Sequence, residues 1–241
     1  APLKKGRPGI ILALDVRRPS EAERILETLG THLRHVKIGP RLFSAGGMPF
    51  VRRVIRAGFE VFLDLKLHDI PNTIAEAVDL LARSGIWALT LHASGGEEML
   101  KAAVLAKRGA RSEVLLLGVT VLTSLDQPSL DRSSPGSKLR ETIKSRALLC
   151  KECGFDGVVC SPRDLLLLDG LLPGGFLRVV PGIRDGEVSR DDQKRTAGME
   201  EAMDMGADFV VIGRPVIRSS SPTETMARFA ERLDLWRKTN V

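Results

Sequence analysis

The sequence has no tyrosine, and only eight phenylalanines and two tryptophans among 241 residues. Proteins that grip single-stranded nucleic acid stack bases on aromatic rings, and 4% aromatic content is thin for that role. Cysteine is scarce too: Cys150, Cys153 and Cys160 are an odd number, which argues against a disulfide framework and for reduced thiols. Cys150 and Cys153 form a CxxC, but Gly154 follows at once and puts the pair at a helix end. A redox CxxC needs a helix start, where the dipole lowers the thiol pKa. No second cysteine pair completes a zinc site. The four histidines, His32, His35, His68 and His92, include no pair at the i, i+4 spacing of a helical metal site. The longest nearly apolar run, 114–122, is about half of a bilayer span. No apolar stretch of signal-peptide length follows the basic N-terminus, so a soluble, cytoplasmic protein is expected.

What is present describes a globular chain: 43% hydrophobic and 27% charged residues exclude a disordered tail or a fibrous repeat. At this length roughly 70 to 75% of the unfolded surface is buried on folding, so neither metals nor crosslinks are needed for stability. Lys plus Arg is 36 against 30 for Asp plus Glu, a net charge of +6. That balance admits an anionic partner. No basic block or nucleic-acid motif accompanies it. The densest group, Lys4, Lys5 and Arg7, reads as a solvated arm, so a small phosphorylated substrate is favoured over nucleic acid.

Eight short runs rich in Val, Ile and Leu recur along the chain, at 10–14, 35–38, 61–65, 88–91, 113–119, 157–160, 177–180 and 209–212. Continuous apolar runs are how strands buried on both faces read, as in parallel sheets. Helix signals lie between them, including Ser20 with Glu23 as a capping box and Asn72 ahead of a helix running towards Gly85. The pattern predicts an α/β fold, a single-domain (β/α)8 TIM barrel over 1–241. A doubly wound open sheet competes, but polar residues recur at the ends of many runs rather than at one switch point. They are Asp15, Lys37, Asp64 with Lys66, His92, Thr120, Ser161, Arg184 and Arg214. In a barrel these ends share one mouth. The polar stretches near 123–137 and 184–196 are expected to be active-site loops.

The most informative segment is DLKLHDIPNT, 64–73. Side chains alternate along a strand, so Asp64 and Lys66 share one face while Leu65 and Leu67 take the other. A solvated strand would also alternate, but Val61, Phe62 and Leu63 are too apolar for one. Asp64 and Lys66 are therefore expected to be buried and paired. Asp69 falls on the loop beyond. His68 shares the face of Lys66 only if the strand continues, and His92 ends the fourth run where it could line the mouth. At the eighth run Gly213 and Arg214 offer a bare backbone amide and a guanidinium fork, the donors a phosphate needs.

With this segment the sequence resembles the orotidine 5'-monophosphate decarboxylases, the enzymes of the last step of UMP synthesis, and is closest in detail to their bacterial branch. The likeness extends from ILALD ending at Asp15, through VKIG with Lys37, LTS with Thr123, PGIR with Arg184 and DDQKR with Gln193, to VIGRP with Gly213 and Arg214. It covers nearly the whole chain; Val180, before PGIR, departs from the small polar residues common there. The resemblance implies a cofactor-free decarboxylation of orotidine 5'-monophosphate by an array of Lys37, Asp64, Lys66 and Asp69. It implies that Asp15 and Lys37 hold the ribose hydroxyls, and that Thr123, with Ser124 as a candidate helper, contacts the pyrimidine. It assigns Arg184, Gln193, Arg214 and the amide at Gly213 or Arg214 to the 5'-phosphate. It further implies a homodimer in which Asp69 and Thr73 reach into the partner's site.

The residues agree with that chemistry. No Walker loop, GxGxxG or metal-binding His cluster supplies an electron sink, so a carbanion would have to be stabilised electrostatically by Lys66. The nearest rival is a sugar-phosphate decarboxylase or aldolase of the same suprafamily. Those enzymes share D-x-K-x-x-D but resemble magnesium-dependent catalysts and lack the IPNT continuation. A basic nucleic-acid scaffold is the rival of another kind, and it would survive loss of Lys66.

Overall fold

The computed structural model describes residues 8–30, 33–183 and 197–240. Its centre is a closed barrel of eight parallel strands in sequential order. The strands are β1 (Gly9–Ala13), β2 (His35–Ile38), β3 (Glu60–Leu67), β4 (Ala88–His92), β5 (Leu115–Val119), β6 (Gly157–Val159), β7 (Leu177–Pro181) and β8 (Phe209–Ile212). The helices are α1 (Pro19–Leu29), α2 (Pro40–Arg56), α3 (Pro71–Ala82), α4 (Gly96–Gly109), α5 (Gln127–Ser133), α6 (Leu139–Cys153), α7 (Pro162–Leu168), α8 (Met199–Asp204), α9 (Arg214–Ile217) and α10 (Pro222–Asn240). This is the (β/α)8 barrel expected from the sequence, and each of the eight apolar runs overlaps a strand. The reason is burial on both faces, which leaves no room for polar alternation.

Two apolar layers result. Ile10, Leu12, Val36, Val61, Leu63, Leu89 and Leu116 point outward and pack under the helices. Ile11, Phe62, Ala88, Leu117, Val119, Val179 and Val211 point inward and fill the barrel. At the end where the strands begin, His35 lies against Trp87, ring centroids 4.5 Å apart, and against Phe209 at 5.3 Å. Gly9 permits this closure: a Cβ there would sit 2.5 Å from the Phe209 ring. Burial pulls the His35 imidazole down to about 4, with Glu60 opposing and Arg34 adding to the fall. Neither His35 Nε2 nor Trp87 Nε1 has a hydrogen-bond partner among the described residues.

Helix starts differ from the expected caps. Helix α1 has Pro19 in its first turn, follows Arg18 in extended conformation and has no side-chain cap, so Ser20 lies inside the helix. Glu23 instead accepts from Arg53 at 2.8 Å. Helix α3 likewise opens on Pro71 after Ile70, and Asn72 donates to Glu76 at 3.0 Å rather than capping. Proline has φ already set for a helix and no N–H to satisfy, so it fixes the first position and displaces the cap. Helix α3 also stops at Ala82, short of Gly85. The CxxC lies where expected: α6 ends at Cys153 and Gly154 closes it in the left-handed region at φ 90°. None of the three cysteines forms a disulfide, and all are buried. Burial, aided by Cys153, pushes the Cys150 thiol up to about 12, which leaves it inert.

Candidate active site

The mouth at the strand C-termini opens into a cavity of about 170 Å³ whose lining includes Asp15, Lys37, Phe62, Asp64, Lys66, Thr123, Gly213 and Arg214. Seven of the residues singled out in the sequence therefore face one space: Asp15, Lys37, Asp64, Lys66, Thr123, Gly213 and Arg214. Arg184 and Gln193 lie outside the described residues. Ser124 is exposed and is not part of the lining.

Asp64 is the hub. Its Oδ2 accepts from Lys66 Nζ at 2.8 Å and lies 3.1 Å from Lys37 Nζ. Its Oδ1 accepts from the Thr90 hydroxyl at 2.9 Å. Burial raises the carboxyl, but Lys37 and Lys66 pull harder and leave it at about 2. Lys37 shows the complement: burial lowers its ammonium, while Asp64 and then Asp15 outweigh burial and raise it. Asp15 is the more distant partner, 3.9 Å from Lys37 Nζ and half open to solvent. A buried anion held between two cations is ionised across the working pH range.

Strand β3 carries this hub through an irregularity. Phe62 pairs with Ala88 and Leu63 with Leu89, but the next pair is Leu67 with Leu91. Asp64, Leu65 and Lys66 thus oppose Thr90 alone. Lys66 takes φ 53°, one of two positive values at non-glycine residues among those described. A left-handed residue with a Cβ costs roughly 1–2 kcal/mol. The Lys66 amide leaves the ladder and donates to Thr90 Oγ1 at 2.9 Å. Leu65 and Leu67 still pack outward against the helix layer, so the expected sharing of one face by Asp64 and Lys66 holds despite the bulge.

Asp69 stands apart from the hub in the single chain. It is exposed, and its Oδ1 accepts from the neighbouring Ile70 amide at 2.7 Å. Thr73 is exposed on the first turn of α3. Strand β3 ends at Leu67, so His68 leaves the sheet, and its ring lies 5.5 Å from that of His92. Burial lowers the half-buried His92 imidazole, and His68, Lys66 and Arg146 add to the fall against Asp64. Arg146, from α6, donates to the Thr120 carbonyl at 2.8 Å. Thr90 and Arg146 escaped the sequence reading. A threonine within an apolar run looks like an ordinary strand former, and only its inward register beside His92 could have singled it out.

At the opposite wall, Gly213 precedes α9. A Cβ there would lie 3.2 Å from Ala13 Cβ and 3.5 Å from Asp15 Oδ2, so glycine keeps this side of the mouth open. Arg214 begins α9 and borders the same cavity. Among the described residues no group of three His, Cys, Asp or Glu is placed to hold a metal ion. No helix among them is long and apolar enough to cross a membrane.

Residues 8–229 match the profile of the family described as "Orotidine 5'-phosphate decarboxylase / HUMPS family". Orotidine 5'-phosphate decarboxylase of Pseudoalteromonas translucida is 41% identical over 228 residues, covering 94% of this chain and 97% of the relative. That of Nitrosospira multiformis is 38% identical over 227 residues, covering 94% of each. A crystal structure of orotidine 5'-phosphate decarboxylase from Lactobacillus acidophilus superposes with a TM-score of 0.81 at 34% identity, covering 95% of this chain and 99% of that one. An uncharacterized conserved protein from Geobacillus kaustophilus superposes at 0.80 with 35% identity, covering 93% and 99%. Motif, barrel and relatives agree, and the chain belongs to the orotidine 5'-phosphate decarboxylase / HUMPS family.

Proposed function

We propose that this protein decarboxylates orotidine 5'-monophosphate to UMP and carbon dioxide without a cofactor, with Lys66 as the catalytic cation. The observation that carries the proposal is the triad Lys37–Asp64–Lys66, joined at 3.1 and 2.8 Å on one wall of the mouth. The bond from C6 of the pyrimidine to the carboxylate breaks, carbon dioxide leaves, and the electron pair stays on C6. Lys66 stabilises that pair and then gives it a proton, recovering its own from water. Asp64 holds the ammonium in place and, with Asp69 of the partner subunit, crowds the departing carboxylate.

Crowding is the smaller effect. Two unit charges about 4 Å apart interact by roughly 4 kcal/mol at an effective dielectric near 20. Large enzymatic accelerations require on the order of 20 kcal/mol. Most of the gain in this reading is preorganised stabilisation by Lys66, supported by binding energy from the remote phosphate. Arg214 and the backbone at Gly213 supply donors for that phosphate, and Arg184 and Gln193 are assigned to it from the family motif. Asp15 and Lys37 bind the ribose hydroxyls, and Thr123 the pyrimidine.

Asp69 and Thr73 complete the site of a second copy in a homodimer in this proposal. Their exposure supports it, as does Ile70 between them, an apolar side chain 66% exposed. The protein works in the cytoplasm in this reading. A metal-dependent sugar-phosphate decarboxylase or aldolase is disfavoured because Asp64 already receives two ammonium groups and a hydroxyl, leaving little basicity for magnesium. The deciding experiment is an ultraviolet assay of orotidine monophosphate loss with chelator present, alongside Lys66→Ala. Chelator-resistant turnover that the variant loses is expected. Turnover that the chelator abolishes, or that Lys66→Ala retains, would overturn the proposal.

A further inference from the structure

We propose that the Thr90 hydroxyl is the positioning group of the charge array, fixing both the backbone turn that presents Lys66 and the orientation of Asp64. The proposal rests on the decarboxylase reading for its kinetic consequence, but its geometric content stands apart from it.

Thr90 is fully buried and is the one residue of β4 opposite three residues of β3, Asp64, Leu65 and Lys66. A hydroxyl has one proton and two lone pairs. Here both capacities are used: it accepts the Lys66 amide at 2.9 Å and donates to Asp64 Oδ1 at 2.9 Å. The first bond replaces the ladder partner that Lys66 loses in the bulge, and so holds Lys66 at φ 53°. The second occupies the Asp64 oxygen that the lysines leave open, so that Oδ2 faces Lys37 and Lys66. The two bonds are complementary, because the hydroxyl proton is committed to a carboxylate that cannot donate one back. Thr90 therefore ties the backbone of Lys66 to the side chain of Asp64 by a single atom. It is not among the residues that line the cavity, and acts through these two residues.

The hydroxyl can be removed without emptying the site. Thr90→Val keeps the shape but loses donor and acceptor, and Thr90→Ser keeps both. On the decarboxylase reading, Thr90→Val is expected to lower kcat on the order of 100-fold, the effect of displacing a catalytic group by about 1 Å, with KM changed little. Thr90→Ser is expected to recover most of that loss. Amide hydrogen exchange at Lys66, followed by NMR, reads the geometry without turnover: it should accelerate in Thr90→Val and stay slow in Thr90→Ser. Thermal unfolding and circular dichroism of both variants establish that the barrel is intact. A folded Thr90→Val with slow Lys66 exchange would overturn the proposal whatever the enzyme does. So would normal kcat, a loss confined to KM, or a serine variant as impaired as valine. If the parent protein failed to decarboxylate orotidine monophosphate, the functional reading would fall while the exchange measurement still decided the role of Thr90.

Discussion

Replacing His35 by phenylalanine should remove an acid-sensitive term from the stability of the barrel. The imidazole is packed between Trp87 and Phe209 at the closed end, and burial holds it at about 4 rather than 6.5. The folded state therefore binds a proton more weakly than the unfolded state. Above pH 6.5 both states carry a neutral ring and the residue contributes no pH dependence. Between pH 6.5 and 4 only the unfolded chain takes up the proton, so stability falls as the pH falls, and below 4 the loss is complete. Linkage with these two values gives a loss of about 2 kcal/mol at pH 5 and about 3 kcal/mol at the plateau. The assay is urea unfolding at pH 7.5, 6 and 5, comparing the parent with His35→Phe. Phenylalanine is larger, and overpacking costs roughly 1–3 kcal/mol, but that cost is the same at every pH. The difference between the two proteins should thus shift by about 2 kcal/mol in favour of the variant from pH 7.5 to 5. Titrating groups that do not interact with His35 cancel in this difference. Parallel pH dependences would refute the reasoning and mean that the ring is protonated within the folded barrel.

Two further outcomes concern the mouth. Asp64→Asn leaves Lys37 and Lys66 with only the more distant Asp15 as a counter-charge, and breaking a buried pair in this way costs about 3–5 kcal/mol, readable as a lower urea midpoint. Because the Asp64 carboxyl is depressed from 3.8 to about 2, its contribution is present above pH 3.8 and is lost as the pH falls towards 2, so the variant should be less sensitive than the parent over that window. Arg214→Ala should raise KM for orotidine monophosphate by roughly 10- to 100-fold, the value of a charge-assisted hydrogen bond, and should have little effect on orotidine, which has no phosphate. Equal losses on both substrates in steady-state assays would remove Arg214 from phosphate binding.

The barrel could be read from the sequence because its strands are buried on both sides, so that they appear as largely apolar runs, with polar residues recurring where the chain reaches the mouth. Asp15, Lys37, Asp64, Lys66 and Arg214 were legible for the same reason: each lies near or just beyond the C-terminal end of such a run. The caps at Ser20 and Asn72 were misread because proline at the helix start competes with capping and wins. Asp69 and Thr73 gain no cation or cavity in one chain, so their assignment depends on a second copy rather than on local pattern. Thr90 was hidden by the degeneracy of β-branched residues. Threonine suits a strand whether its hydroxyl is idle or bonded, and nothing in ALTLH reveals that its neighbour strand bulges.

The form of that bulge explains how a lysine held in a strained turn coexists with a closely packed barrel. One extra residue in β3 would have reversed the facing of every side chain after it, turning Leu67 inward to the mouth. Two extra residues preserve parity: Leu67 pairs with Leu91, and both remain in the outer layer under the helices. The irregularity is thus confined to Asp64, Leu65 and Lys66, with Leu65 still packed outward. Its cost is the left-handed turn at Lys66 and one amide lost to the ladder, and the Thr90 hydroxyl recovers the amide. Backbone distortion and helix packing are separated by this arithmetic of two, so the mouth can be reshaped without disturbing the layer that stabilises the fold.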